Sequence, residues 1–481
     1  MTCKRLKKWK VFLTALFTIL IFNNTSALAN IIDKNNSVLF YSTKYDKSEL
    51  LQPYWIPIVK YDAQAEQTIT ASTASRFQEI DGFGYTLTGG SAELINEMSP
   101  NSRSKLLNEL FSKEGIGVSY LRLSLGASDL SSNIFSYNDL PTGETDLTLS
   151  RFSIDEERRD LLPVLKQILS INPQIKIMAS PWSPPTWMKS NNHSKGGSLK
   201  YEYYGVYALY LAKYIKTMAL EGINIEAITI QNEPLHPGNN PSLYMSAGDQ
   251  AKFIKGHLGP LFKREAIKTK IVIYDHNADR VDYPISILND PDAKQYIDGS
   301  AFHLYGGEIG SLSLVHEAHP DKNIYFTEQW VGAPGNFAVD LNFHITNLII
   351  GATRNWSKTV LEWNLAADPD SKPHTIGGCD RCLGAVTLDG DKVTRNSAYY
   401  IIAHASKHVR PGSYRIASNN IKQLPNVAFL NPDNEVISVV FNDSEESQTF
   451  RLVANGKAIK VTLDAQAVGT FVWPKIIELS R

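Results

Sequence analysis

Cysteine is scarce, three residues in 481. A structural zinc centre needs four ligands, and no second pair accompanies the C-x-x-C of Cys379 and Cys382, so such a centre is disfavoured. Charge of one sign is scarce too: 48 basic residues stand against 49 acidic ones, which argues against a nucleic-acid partner. The one extended apolar run, residues 11–22, is shorter than the roughly 20 residues a bilayer span requires. H-E-x-x-H is absent and removes the common zinc-hydrolase pattern, and G-x-S-x-G is absent and removes the serine elbow. The first βα unit lacks G-x-G-x-x-G, which argues against a doubly wound dinucleotide-binding sheet. No internal repeat or low-complexity tract is present.

What is there begins with an export signal. Lys4, Arg5, Lys7, Lys8 and Lys10 precede the apolar run, and Ala27-Leu28-Ala29 forms a small-residue cleavage site, so residues 1–29 read as a signal peptide and the mature chain as starting at Asn30. Cys3 lies ahead of the apolar run and leaves with the signal, so no cysteine stands at the cleavage site to take a lipid. Its removal takes away five basic and no acidic residues, which makes the mature chain acidic. A secreted or periplasmic protein without membrane insertion is expected.

From about residue 77 to 408 the chain alternates short β-branched or apolar runs with amphipathic stretches. Eight runs can be counted: residues 77–84, 118–125, 175–182, 225–234, 270–277, 298–305, 323–330 and 359–366. Helices are expected over 155–170, 201–221, 249–263 and 337–353. In 201–221, Tyr204, Tyr207, Leu211, Tyr214, Ile215 and Met218 lie largely along one face, a stripe read as core. Eight βα units predict an α/β fold, a (β/α)8 barrel, with its working face at the C-terminal strand ends. Regularly spaced short strands in 409–481 predict a side β-sandwich, to which residues 30–76 add strands because they are too few for a core of their own.

Two glutamates stand at expected strand ends, Glu233 in TIQNEP on the fourth and Glu328 in YFTEQW on the seventh. Barrel closure would bring them to one mouth, and a carboxyl pair about 5–5.5 Å apart is what retaining glycoside hydrolysis requires. The segments GFGYTLTGGSA, SPWSPPTWMK, QNEP, FHLY, TEQW and LEWNLA are similar, in order, to glycoside hydrolase family 30, the family of lysosomal glucosylceramidase. The resemblance implies a barrel joined to a sandwich, retaining chemistry, no cofactor and no metal. It implies Glu233 as acid/base and Glu328 as nucleophile. It also places Arg122, His303 and Tyr305 around nucleophile and sugar, with a satisfied interior histidine the alternative for His303. Asn232 is positioned to meet the sugar 2-OH, or else to cap a loop.

Trp182, Trp330 and Trp363 at strand ends can cover a sugar's C–H face, or serve as core, and Trp187 is placed under the loop after strand three. Cys379 and Cys382 are expected to clamp a loop by a disulfide. The resemblance breaks at Gly89-Gly90, where the lysosomal branch carries a sugar-binding Asp, and at Leu304, where it has Trp. Asp380 or Arg381 on the clamped loop are the expected replacements for the lost carboxylate. These departures resemble bacterial branches acting on β-1,6-linked glucans, so a β-linked glucan or glucoside is the expected substrate. Alternatives are a glucosylceramidase, a β-xylosidase or xylanase of the same family, or a carbohydrate-binding protein without catalysis. His404 and His408, at i, i+4 spacing, are read as helix-surface residues.

Overall fold

The computed structural model describes residues 33–60 and 67–475; the expected signal peptide lies outside these residues. Eight parallel strands close into a barrel in chain order: Gly82–Leu87, Tyr120–Leu125, Lys176–Pro181, Ala227–Thr229, Lys270–Asn277, Ile297–His303, Asn323–Glu328 and Ser357–Asn364. Inward side chains Tyr120, Met178, Ala227, Val272, Ala301, Tyr325 and Leu361 fill the barrel's interior, so it is a packed core and not a pore. Among the described residues no helix is long and apolar enough to cross a membrane.

The helices form over the expected apolar stretches, and those starting at Ala247 and Phe337 are capped by the Ser246 and Asn336 side chains. Tyr204–Leu220 buries Tyr204, Tyr207, Leu211, Tyr214, Ile215 and Met218, the expected stripe, and adds Tyr210. The helix expected over 249–263 runs from Ala247 to Arg264 with a π-helical turn at Ile254–Leu258, and that over 337–353 continues from Phe337–His344 into a π-helical Ile345–Ala352. Between residues 155 and 171 the chain makes two helices, Asp155–Arg159 and Leu161–Ile171.

The first expected strand, 77–84, is divided. Thr68–Glu79 belongs to the sandwich, pairing with Tyr414–Ser418, and the barrel strand begins at Gly82. The division falls where Gly82 takes φ 147°, a conformation open to glycine, and a Cβ there would meet the Ser119 hydroxyl at 2.6 Å. The fourth strand is also shorter than expected, three residues, and the chain leaves it before reaching Glu233.

Ten strands build the second layer as one folded sheet, in which Ser37–Thr43 lies between Gln52–Pro57 and Val468–Val472, and Thr68–Glu79 lies between Tyr414–Ser418 and Gln448–Ala454. The N-terminal segment is thus interleaved with the C-terminal one around a core that includes Phe40, Ile69, Phe450, Phe471 and Trp473. Removing either segment would expose the other's apolar face.

His404 corrects its expected place on a helix surface. It is buried on the helix Ser397–Ser406, with Nδ1 2.8 Å from the Thr470 hydroxyl and Nε2 2.8 Å from that of Thr43, tying the barrel's last helix to two sandwich strands. The helix is buried on both sides, against barrel and sandwich, so a position off its apolar stripe is enclosed as well. Burial lowers its pKa from 6.5 to about 3. The unfolded chain therefore takes up this proton first as pH falls below 6.5, and stability is lost on acidification toward about 3. Substituting His404→Gln should remove roughly 3 kcal/mol of the stability lost between pH 6.5 and 4. Denaturant melts of both proteins across that range would show it, and parallel pH slopes would refute it.

Candidate active site

The C-terminal strand ends converge on a cavity of about 360 Å³, small for a ligand site, lined by Glu233, Glu328, Asp129, Tyr305 and three tryptophans among others. At its floor lies Arg122, wholly buried on the second strand. Its Nε donates to the Ser180 hydroxyl (3.0 Å), one terminal nitrogen to Glu328 Oε2 (2.6 Å), and the other to Asn232 Oδ1 (2.6 Å) and Asp275 Oδ2 (2.8 Å). The guanidinium also stacks over Trp182 at 4.8 Å and reaches Trp363 at 5.8 Å. One side chain thereby joins strands two, three, five and seven and the loop after strand four.

Asp275, unflagged in the sequence, is the hub opposite Arg122. Its four contacts are Arg122, the hydroxyls of Thr229 (2.8 Å) and Thr327 (2.7 Å), and His303 Nε2 (3.1 Å). Burial alone would raise this carboxyl, but the charges of Arg122 and His303 hold it well below the usual carboxylate range. Tyr274 and Asp275 adopt φ 73° and 63°, costly for side chains with a Cβ, and the register against the sixth strand shifts there. Gln250 Oε1 receives the Tyr274 N–H at 3.0 Å and compensates the distortion. The one sequence signal was an acid closing the apolar run KIVIYD.

Glu328 is the last residue of the seventh strand. Besides Arg122, it accepts the Tyr305 hydroxyl on Oε1 at 2.9 Å. Glu233 sits four residues beyond the fourth strand at φ 45°, its N–H bonded to the Asp275 carbonyl at 3.0 Å, so a loop and not a strand end aims it. His303 Nδ1 lies 3.1 Å from Glu233 Oε1 and 3.7 Å from Glu328 Oε1, so these two oxygens can be no more than about 6.8 Å apart. His276 Nδ1 approaches the same Glu233 oxygen at 3.6 Å. No protein donor engages Glu233 Oε2 among the described residues. Glu233, His276 and His303 also bring one donor atom each within 4.8 Å of one another.

Burial opposes protonation of His303, yet Glu328, Asp275 and Glu233 around it raise its pKa to about 9. Burial is likewise the largest influence on both glutamates and raises both. Around Glu233 the imidazoles of His276 and His303 outweigh it; around Glu328 it prevails over His303 and Arg122. The two carboxyls therefore shift in opposite directions, and their titrations are linked rather than independent. With Arg122 and His303 positive and Asp275 negative, a pair sharing one proton leaves the buried cluster neutral.

Asn232 turns Oδ1 to Arg122, which leaves its amide nitrogen to donate elsewhere. Trp182 and Trp363 line the cavity and are nearly buried, their rings 5.4 Å apart, so they act as its wall and as packing together. Trp330 lines it as well. Trp187 does not; its indole N–H is bonded to Asn138, beneath the loop after strand two.

Asp380 and Arg381 correct the expectation placed on them. Both are exposed and neither lines the cavity, because the backbone of this loop faces inward: the Arg381 carbonyl accepts the Ala333 N–H at 2.7 Å. The neighbouring Cys379 and Cys382, joined by a disulfide of 2.09 Å, do line it. A carboxylate that the sequence reading did not single out reaches the cavity from another loop, that of Asp129 after strand two. It is buried, accepts the Cys379 N–H on Oδ2 at 3.3 Å, and leaves Oδ1 without a partner. Burial, with the charges of Glu328 and Glu233, pushes Asp129 up to about 7.

Residues 80–409 match the model of the glycosyl hydrolase family 30 TIM-barrel domain, and residues 412–471 that of the family 30 β-sandwich domain. The chain belongs to glycoside hydrolase family 30. Among family 30 relatives, the chain is 34% identical to an endo-1,6-β-D-glucanase of Neurospora crassa, over 72% of this chain and 73% of that protein. It is 30% identical to the mouse lysosomal acid glucosylceramidase, over 79% and 78% of the two. Among solved structures, the endo-β1,6-glucanase BT3312 superposes with a TM-score of 0.86 at 35% identity, over 92% of this chain and 100% of that one.

Replacing Arg122 with Met would strand the Asp275 carboxylate in the interior. The loss expected is about 3–5 kcal/mol, seen as a lower urea midpoint at unchanged slope. An unfolding free energy within about 0.5 kcal/mol of the parent's, on the scale of an ordinary surface change, would contradict this account.

Proposed function

We propose that this family 30 enzyme hydrolyses β-1,6-linked glucan with retention, Glu328 acting as nucleophile and Glu233 as acid/base, after export from the cell. The observation that supports the mechanism is His303 Nδ1 within 3.1 and 3.7 Å of an oxygen of each carboxyl, which brings both glutamates to one cavity. The choice of linkage is supported by the relatives whose names state endo-1,6-β-glucanase activity.

Attack needs an ionised Glu328, and the donors Arg122 and Tyr305 on its two oxygens favour that form. The shared proton then serves Glu233, whose Oε2 meets no protein donor among the described residues and can meet the glycosidic oxygen. Glu328 Oε bonds to the anomeric carbon as the C–O bond to the leaving sugar breaks and the proton passes to the departing oxygen. The ester has no charge. Glu233, now anionic and relieved of its like-charged neighbour, takes a proton from water, which attacks the anomeric carbon and releases Glu328. The Asn232 amide is placed for the 2-OH, and the unpartnered Asp129 Oδ1 for a hydroxyl across the ring. Trp182, Trp330 and Trp363 cover the apolar face.

Glu233→Gln and Glu328→Gln should each lower kcat on β-1,6-glucan by at least roughly 10²–10³-fold with folding intact. Asp129→Asn should lower kcat/KM by about 10–100-fold, the worth of one charge-assisted hydrogen bond. Assays on β-1,6-glucan, gentiobiose, xylan and glucosylceramide test the substrate, and cleavage of xylan alone would overturn the choice.

A further inference from the structure

The disulfide lies in the wall of the catalytic cavity, against Trp182, Trp363 and Leu130, rather than across distant parts of the fold. It spans a sequence separation of only three residues. A loop so short restricts the unfolded chain less than almost any other cross-link, so its contribution to global stability is small. What it restricts is local. Among the described residues, the Cys379 N–H is the donor from outside Asp129's own loop that reaches its carboxylate, on Oδ2 at 3.3 Å, while Oδ1 has no partner.

The same loop grips the Asp129 backbone. The Asp129 carbonyl accepts the Thr375 N–H at 2.8 Å, and Gly378 passes so close that a Cβ on it would stand 2.3 Å from that carbonyl oxygen. At its other end the loop pairs with the segment just past Glu328: Leu383 N–H donates to the Val331 carbonyl at 3.0 Å, Ala333 N–H to that of Arg381 at 2.7 Å, and Cys382 bridges Gly332. The sulfur pair thus links the strand-seven side of the cavity to the carboxylate presented from the strand-two side.

We infer that the Cys379–Cys382 disulfide is a positioning device for Asp129, holding the backbone donor that fixes this carboxylate in the sugar site and making hydrolysis sensitive to thiol reductants. Cys379 and Cys382 are positioning residues; their sulfur atoms take no part in the chemistry. Reduction by a dithiol delivers two electrons and two protons to the sulfur pair, and the dithiol leaves as its own cyclic disulfide. The two thiols no longer constrain the loop, the Cys379 N–H moves off Asp129, and the carboxylate loses its fixed orientation. The inference rests on the proposed sugar contact of Asp129.

The experiment is a four-protein cycle: parent, Asp129→Asn, Cys379→Ser with Cys382→Ser, and all three changes together, each assayed on β-1,6-glucan below its melting temperature. The serine pair should lower kcat/KM several-fold to tenfold with a near-parental melting temperature, and should add less than twofold once Asp129 is Asn. Dithiothreitol on the folded parent should reproduce the loss, with thiol labelling confirming reduction and reoxidation restoring activity, and should leave the serine variant unchanged. This arm stands even if the serine variant folds poorly. Parental kinetics after complete reduction would overturn the inference, and so would multiplicative losses in the triple variant. An inert Asp129→Asn would sink the sugar contact as well; an effective one beside a silent disulfide sinks only the positioning role.

Discussion

The buried guanidinium of Arg122 is the constraint around which the active face is arranged. Taking such a cation out of water is tolerable only when anions and acceptors meet its N–H groups directly. Asp275, Glu328, Asn232 and Ser180 do so, and Trp182 closes one face of the plane. Since the guanidinium is rigid, its acceptors must come to it. That requirement explains why a loop residue, Asn232, and a strand terminus, Glu328, share one geometry, and why the fifth strand bears two left-handed residues at Tyr274 and Asp275.

Charge balance follows from the same cluster. Asp275 stays ionised between Arg122 and His303, and His303 stays protonated among three carboxyls. With these charges set, one proton shared by Glu233 and Glu328 makes the cluster neutral. In the proposed double displacement that state is the starting one, and esterification of Glu328 would remove the charge that favours keeping the proton on its neighbour. On that proposal the electrostatics beneath the cavity and the acid-to-base switch of Glu233 are two aspects of one arrangement.

The surrounding architecture serves rigidity. The barrel interior is filled, the outer helices bury aromatic faces such as that of Tyr204–Leu220, and the sandwich is woven from both ends of the described chain. His404 bolts these layers together through two threonine hydroxyls. Loops at the strand ends then vary the cavity: the segment bearing Asp129 and the disulfide segment meet above a floor supplied by the strands.

The βα alternation, the extra strands of the sandwich and the two glutamates were legible in the sequence, because apolar periodicity and short motifs are local properties of neighbouring residues. Arg122, His303 and Tyr305 were legible through motif resemblance, and Asn232 and the cavity tryptophans through their places beside Glu233 and at expected strand ends. Asp129 and Asp275 were not, since an isolated acid in SDLSS or YDHN has no local mark of its role; each acquires one by facing residues distant in the chain, Cys379 for Asp129 and Arg122, Thr229, His303 and Thr327 for Asp275. The same holds for the buried state of His404, for the inward turn of the loop backbone that leaves Asp380 and Arg381 outside, and for the raised pKa of His303. Burial and charge act through space, over distances that barrel closure sets, and so only the tertiary structure decided them.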